Sequence, residues 1–140
     1  MTDQPSKSTS DQYGIGDASF QAAGGIAGIE KLVEAFYHQM DTLPEAKLIR
    51  EMHPTDLSMS KDKLSRFLCG WLGGPKRFQA KYGRISLPQA HAQFTIGLSE
   101  RETWLLCMEK ALDQQTYPAD FKAYLLKKLL FPASKIQNKD

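Results

Sequence analysis

Ile29, Leu32, Val33, Phe36, Tyr37 and Met40 stand three and four residues apart along one run of the chain, the spacing that lines one face of an α-helix. Between them fall Glu30, Lys31, Glu34 and His38, and this places His38 in solvent. The pattern recurs at Leu64, Phe67, Leu68, Trp71 and Leu72, and at Trp104, Leu105, Met108, Ala111 and Leu112. It returns at Phe121, Tyr124, Leu125, Lys128 and Leu129. No stretch alternates with the period of two that a half-buried strand requires. Helices that are apolar on one side must bury that side against one another, so the expected fold is a single all-α domain.

Turn-forming residues divide these helices. Asp17 is a candidate cap for two helical turns through Ala23, and Gly24-Gly25 breaks them with a turn or a close helix crossing. Pro44 opens a short helix through Arg50, which ends before His53-Pro54 because the residue preceding a proline is pushed away from helical geometry. Ser60 or a neighbour starts the next helix, and Gly73-Gly74-Pro75 stops it. Lys76 to Ser86 reads as a long loop with at most one helical turn, followed by a short segment over Leu87–His91. The next helix runs from about Ile96 to Gln114. Pro118 opens the last one and Pro132 ends it. The expected organisation is a flexible extension over 1–12, a domain over 13–131 and a polar tail over 132–140.

Composition narrows the function. The net charge of +2 is far from the concentrated Lys and Arg of a dedicated nucleic-acid binder. No apolar run reaches the ~20 residues that span a bilayer, and the polar N-terminus lacks the apolar core of a secretory signal, so a cytoplasmic location is expected. Cys69 and Cys107 fall among apolar neighbours and read as buried, reduced thiols. The chain contains no Cys-x-x-Cys-His, zinc-type cluster, phosphate-binding loop or dinucleotide-binding glycine pattern.

Two features sit poorly with a plain helical bundle. The Phe78 to His91 connection is long for a helical hairpin. In addition, Tyr37 and Trp104 carry hydrogen-bonding groups on buried stripes, where a plain core favours Leu or Phe. Together they point to a cavity whose walls donate hydrogen bonds.

At this point the residues resemble the group II class of the truncated haemoglobins, the two-over-two globins. The resemblance covers about Asp17 to Phe131. It rests on Gly24-Gly25, the Phe36-Tyr37 pair, the Met52-His53-Pro54 turn, Lys63-Leu64 with Phe67-Leu68, Gly73-Gly74-Pro75, and His91 followed by Phe94. Glu100-Arg101-Glu102 ahead of Trp104-Leu105, with Cys107-Met108 after it, completes the pattern. The resemblance implies an all-α truncated globin fold enclosing haem b, with His91 as the proximal ligand of the iron. It implies Tyr37, His53 and Trp104 as distal hydrogen-bond donors to a ligand on that iron, near Ser60 and Leu64. Lys63, Leu64, Phe67, Tyr82, Phe94, Ile96 and Trp104 then hold the haem, with Lys63 paired to a propionate. One departure is Ala90, where the family commonly has an arginine; the contact it makes is then missing or supplied by Arg84 or Tyr82.

The implied ligands are O2, NO, CO and similar diatomics. Donors aimed at the negative charge such a ligand acquires each contribute on the order of 1–3 kcal/mol, which makes release slow and suits redox chemistry better than oxygen transport. The expected function is therefore detoxification of NO or reactive oxygen and nitrogen species, by NO dioxygenation or peroxidase-like turnover, served by a separate reductase. The alternatives are an oxygen store or gas sensor without turnover and, more remotely, a haem-free helical interaction protein.

Overall fold

The computed structural model describes residues 12–84 and 86–139. Among them are nine α-helices: α1 (Ala18–Ala22), α2 (Gly25–Thr42), α3 (Lys47–Glu51), α4 (Ser58–Trp71), α5 (Arg77–Tyr82), α6 (Leu87–Ala90), α7 (Leu98–Asp113), α8 (Ala119–Lys128) and α9 (Leu130–Ile136). No strand occurs among the described residues, in line with the all-α expectation. Apart from Gln12, the extension expected over 1–12 lies outside the described residues.

α2 is the central element because its stripe is wide enough to meet two neighbours. It packs against α4 and against α7, and α7 in turn packs against α8 and α9. Ile29, Leu32, Val33, Phe36 and Met40 are essentially inaccessible to solvent, as are Met108 and Ala111 on α7 and Phe121 and Leu125 on α8. Burying an aromatic or aliphatic side chain of this size contributes roughly 1.5–3 kcal/mol, so these few positions hold the helix pairs together. His38 is exposed, as the stripe requires. The helix begins where Gly24 adopts φ 91, a left-handed geometry that favours glycine. The close crossing lies at Gly28, where an added Cβ would stand 2.1 Å from the Ala23 carbonyl oxygen.

Two expectations about the chain's course are corrected. Residues 77–82 form a six-residue helix, longer than the single turn allowed within the expected loop, with Phe78 and Tyr82 one turn apart and their ring centroids at 5.1 Å. Pro132 does not end the helical structure. α8 stops at Lys128, and Pro132 sits in the first turn of α9, where a residue without an N–H loses no intrahelical bond. Residues 132–136 are consequently helical, and Pro132 and Ala133 are buried.

The Trp71 end of α4 is held by an aromatic stack between Phe67 and Trp71, with centroids at 6.1 Å. At the other end of the described chain, Tyr13 is buried against Phe121 and Tyr124, and its hydroxyl donates to Asp120. None of the described helices is long and apolar enough to cross a membrane.

Candidate functional site

A cavity of about 700 Å³ opens among α2, α4, α5, α6, α7 and the C-terminal helices, well inside the roughly 300–1,000 Å³ range of ligand and cofactor sites. Every site residue expected from the sequence lines it. Tyr37 comes from α2, His53 from the turn after α3, and Lys63, Leu64 and Phe67 from α4. Tyr82 ends α5, while His91, Phe94 and Ile96 lie between α6 and α7, and Trp104 stands on α7. Ser60 and Arg84 also reach it.

His91 directly follows the four-residue helix α6, whose first turn is capped by the Ser86 hydroxyl. Its Nδ1 lies 2.8 Å from the carbonyl oxygen of Leu87. A carbonyl can only accept, so Nδ1 carries the proton and Nε2 of the neutral ring keeps its lone pair. A ring oriented by a backbone carbonyl, with its second nitrogen unprotonated, is the state in which imidazole ligates a metal.

His53 repeats this arrangement, with Nδ1 2.8 Å from the Ile49 carbonyl oxygen. The consequence here is a correction. The ring N–H is spent on the backbone, so neutral His53 presents an acceptor to the cavity rather than the expected donor. Burial pushes its pKa below the ordinary value; the Ile49 bond opposes that shift, while Arg50 and His91 add to it. The ring therefore stays neutral at neutral pH.

Tyr37 and Trp104 are the donors that remain. Both pack on Phe36, which is fully buried, with centroid separations of 4.9 Å and 5.0 Å. Among the described residues, neither the Tyr37 hydroxyl nor the Trp104 indole N–H has a hydrogen-bond acceptor, and both side chains line the cavity. Burial holds the Tyr37 phenol well above its ordinary pKa, so it remains a neutral O–H donor.

Charges gather at the α4–α5 edge. Asp62 accepts from the Tyr82 hydroxyl at 2.6 Å, from Lys81 at 2.9 Å and from Arg66 at 2.9 Å. The Tyr82 and Lys81 hydrogen bonds are the main reasons its carboxyl lies well below the usual range. Because the Tyr82 hydroxyl is committed there, Tyr82 offers the cavity its ring, over which Lys63 Nζ sits at 5.4 Å. Among the described residues, Lys63 and Arg84 pair with no carboxylate. They are therefore the cations left for an anionic group at this edge.

Sequence reasoning missed the wall formed by Leu129, Pro132, Ala133 and Ile136. The signal was present, since these positions continue a helical stripe at i, i+3, i+4 and i+7. Reading Pro132 as a stop concealed it.

The model of the bacterial-like globin family matches residues 18–138. The group II 2-on-2 haemoglobin of the plant pathogen Agrobacterium tumefaciens is 38% identical, with 87% of this chain and 95% of that one covered and a TM-score of 0.82. The chain is a group II truncated haemoglobin. The cold-adapted truncated haemoglobin of Pseudoalteromonas haloplanktis TAC125 is 34% identical over 87% of this chain and 98% of that one, at a TM-score of 0.83. The truncated oxygen-avid haemoglobin of Bacillus subtilis is 28% identical over 86% and 96%, at 0.78. The fold is accordingly the two-over-two globin expected from the sequence.

As a truncated haemoglobin, the chain has haem-based binding of small gaseous ligands such as O2 as its general function. The residues fit that group: an apolar cavity, an imidazole with a free Nε2, two donors without protein acceptors, and two cations at one edge.

Proposed function

We propose that the cavity holds haem b, with His91 Nε2 as the protein ligand of the iron. Leu64, Phe67, Phe94, Ile96 and Trp104 pack on the porphyrin, the Tyr82 ring lies at its edge, and Lys63 with Arg84 meets the propionates. The pair of cations supplies the charge that the usual arginine would bring at Ala90.

A bound haem supplies a redox-active iron on which O2 and NO can combine to nitrate, with one electron returned by a separate reductase in each cycle. Tyr37 and Trp104 donate to a diatomic ligand that carries partial negative charge. His53, with its N–H committed to Ile49, offers an acceptor to a protonated ligand. Hydrogen bonds to a charged partner contribute about 1.5–3 kcal/mol each, so two of them slow ligand escape by orders of magnitude. The Bacillus subtilis relative is oxygen-avid, which accords with this. Slow escape favours chemistry on the ligand over its delivery, and we infer a role in removing NO or reactive oxygen species.

The observation that carries this reading is the sharing of one apolar cavity by a free imidazole lone pair and two donors without protein acceptors. The test is an absorbance spectrum of the haem-reconstituted protein, ferric and dithionite-reduced, beside His91→Ala. A Soret band that depends on His91 supports the haem assignment, and identical spectra for parent and variant overturn it. Rapid NO consumption by the oxygenated form supports detoxification. An oxygenated form inert to NO leaves a ligand-binding module without turnover.

A further inference from the structure

The connection between α6 and α7 carries His91, Phe94 and Ile96 into the cavity, yet it has few strong bonds of its own. His91 N–H reaches the Pro88 carbonyl at 3.3 Å, Ala92 N–H the Gln89 carbonyl at 3.3 Å, and Phe94 N–H the His91 carbonyl at 3.1 Å. The backbone donor of Ile96, a residue only 5% exposed, needs a partner from outside this stretch.

That partner comes from beyond α9. The Asn138 side-chain oxygen accepts from Ile96 N–H at 2.8 Å. Its Nδ2 donates to the Phe94 carbonyl at 2.7 Å and reaches the His91 carbonyl at 3.4 Å. The backbone N–H groups of Asn138 and Lys139 both donate to the Ile96 carbonyl, at 2.7 Å and 3.1 Å. α9, which packs on α6, delivers this segment to the connection.

We propose that Asn138 is a positioning residue for the proximal side of the haem site. Its single amide clamps the His91–Ile96 connection and thereby sets where His91 presents Nε2. The inference rests on the reading of His91 as the iron ligand. The chemistry calls for an amide, because one group must accept from Ile96 and donate to Phe94 at the same time. An isosteric aspartate would place a carboxylate oxygen against the Phe94 carbonyl oxygen. Asn138 lies outside the large cavity and is solvent-exposed, so replacing it leaves the core intact.

The experiment is resonance Raman spectroscopy of the ferrous haem-loaded protein, read at the iron–histidine stretch, with haem transfer to an excess of another apoglobin measured alongside. Ser134→Ala on the exposed face of α9 serves as control. Asn138→Ala is expected to shift or split the stretch and to speed haem loss by about tenfold, the lower end of the cost of removing an outer-shell partner. Asn138→Asp is expected to do more, and Asn138→Gln, which keeps the amide, less. Amide exchange at Ile96 should be slow in the parent and fast in Asn138→Ala.

A lower melting temperature with an unchanged iron–histidine line overturns the proposal, since the clamp then only adds stability. Fast Ile96 exchange in the parent overturns it as well. If the parent shows no iron–histidine line that disappears in His91→Ala, the ligand assignment itself has failed and the proposal falls with it. The two failures are thus told apart.

Discussion

The phenol ring of Tyr37 and the imidazole of His53 meet edge to face, with centroids 5.7 Å apart and planes at 75°. With the His53 N–H committed to Ile49, Tyr37 and Trp104 remain of the three expected distal donors. Tyr37→Phe and Trp104→Phe each remove one donor while keeping an aromatic ring. Each is expected to speed O2 release by about ten- to a hundredfold, the equivalent of a lost hydrogen bond to a charged acceptor. Stopped-flow displacement of O2 measures this, and two unchanged rates would remove the distal role of both residues.

Acid should act on this protein in two separate windows. His53 is harder to protonate folded than unfolded, so the unfolded chain binds more protons and stability falls as pH drops below the ordinary value of 6.5. Asp62 has a depressed carboxyl, so its contribution is present above its ordinary value of 3.8 and is lost as pH falls from there. Denaturant midpoints followed against pH should show two declines, the upper reduced in His53→Gln and the lower reduced in Asp62→Asn, with Asp56, also held below its ordinary value by Ser58, keeping part of the lower one. A single decline unaffected by either variant would contradict the assignment.

Gly73 adopts φ 93, and a Cβ there would stand 2.0 Å from the Gly16 carbonyl oxygen. Gly73→Ala meets both a left-handed strain, on the order of 1–3 kcal/mol, and a backbone clash that flexible side chains cannot relieve. A melting temperature lower by several degrees is expected in thermal unfolding. A value equal to that of the parent would mean that the α1–α4 contact rearranges freely.

Both cysteines are fully buried, and burial raises the Cys107 thiol to about 11. Neither sulfur is accessible, and at Cys107 burial also suppresses the reactive thiolate, so neither should be alkylated by iodoacetamide in the native protein near neutral pH. Mass spectrometry of the intact protein before and after denaturation checks this. Rapid native labelling would contradict the burial.

Much of this fold can be read from stripe spacing, because Phe36, Met40, Leu68 and Phe121 each sit on a helical repeat long enough to be unambiguous. The extent of α5 beyond the turn expected there escaped because its six residues hold only one apolar i, i+4 pair, Phe78 and Tyr82. α9 escaped because proline is compatible with a helix's first turn, and nothing local distinguishes that position from a helix end. Tyr37 and Trp104 were legible as polar groups on buried faces. His53, Lys63, Phe94 and Ile96 have no pattern of their own and were reached only through the family resemblance. The hydrogen-bonding sense of His53 lay beyond any pattern, because it depends on the distance from one ring nitrogen to the Ile49 carbonyl.

Leu64, Phe67, Phe94 and Trp104 are only partly covered by the chain's own atoms. Whatever covers them adds to the hydrophobic core, so occupancy is linked to the stability of the folded state. Each tenfold rise in free haem above its dissociation constant would add about 1.4 kcal/mol to the stability of the folded state. In a cell that degrades unfolded chains, the amount of this protein would then follow haem supply without any dedicated sensor.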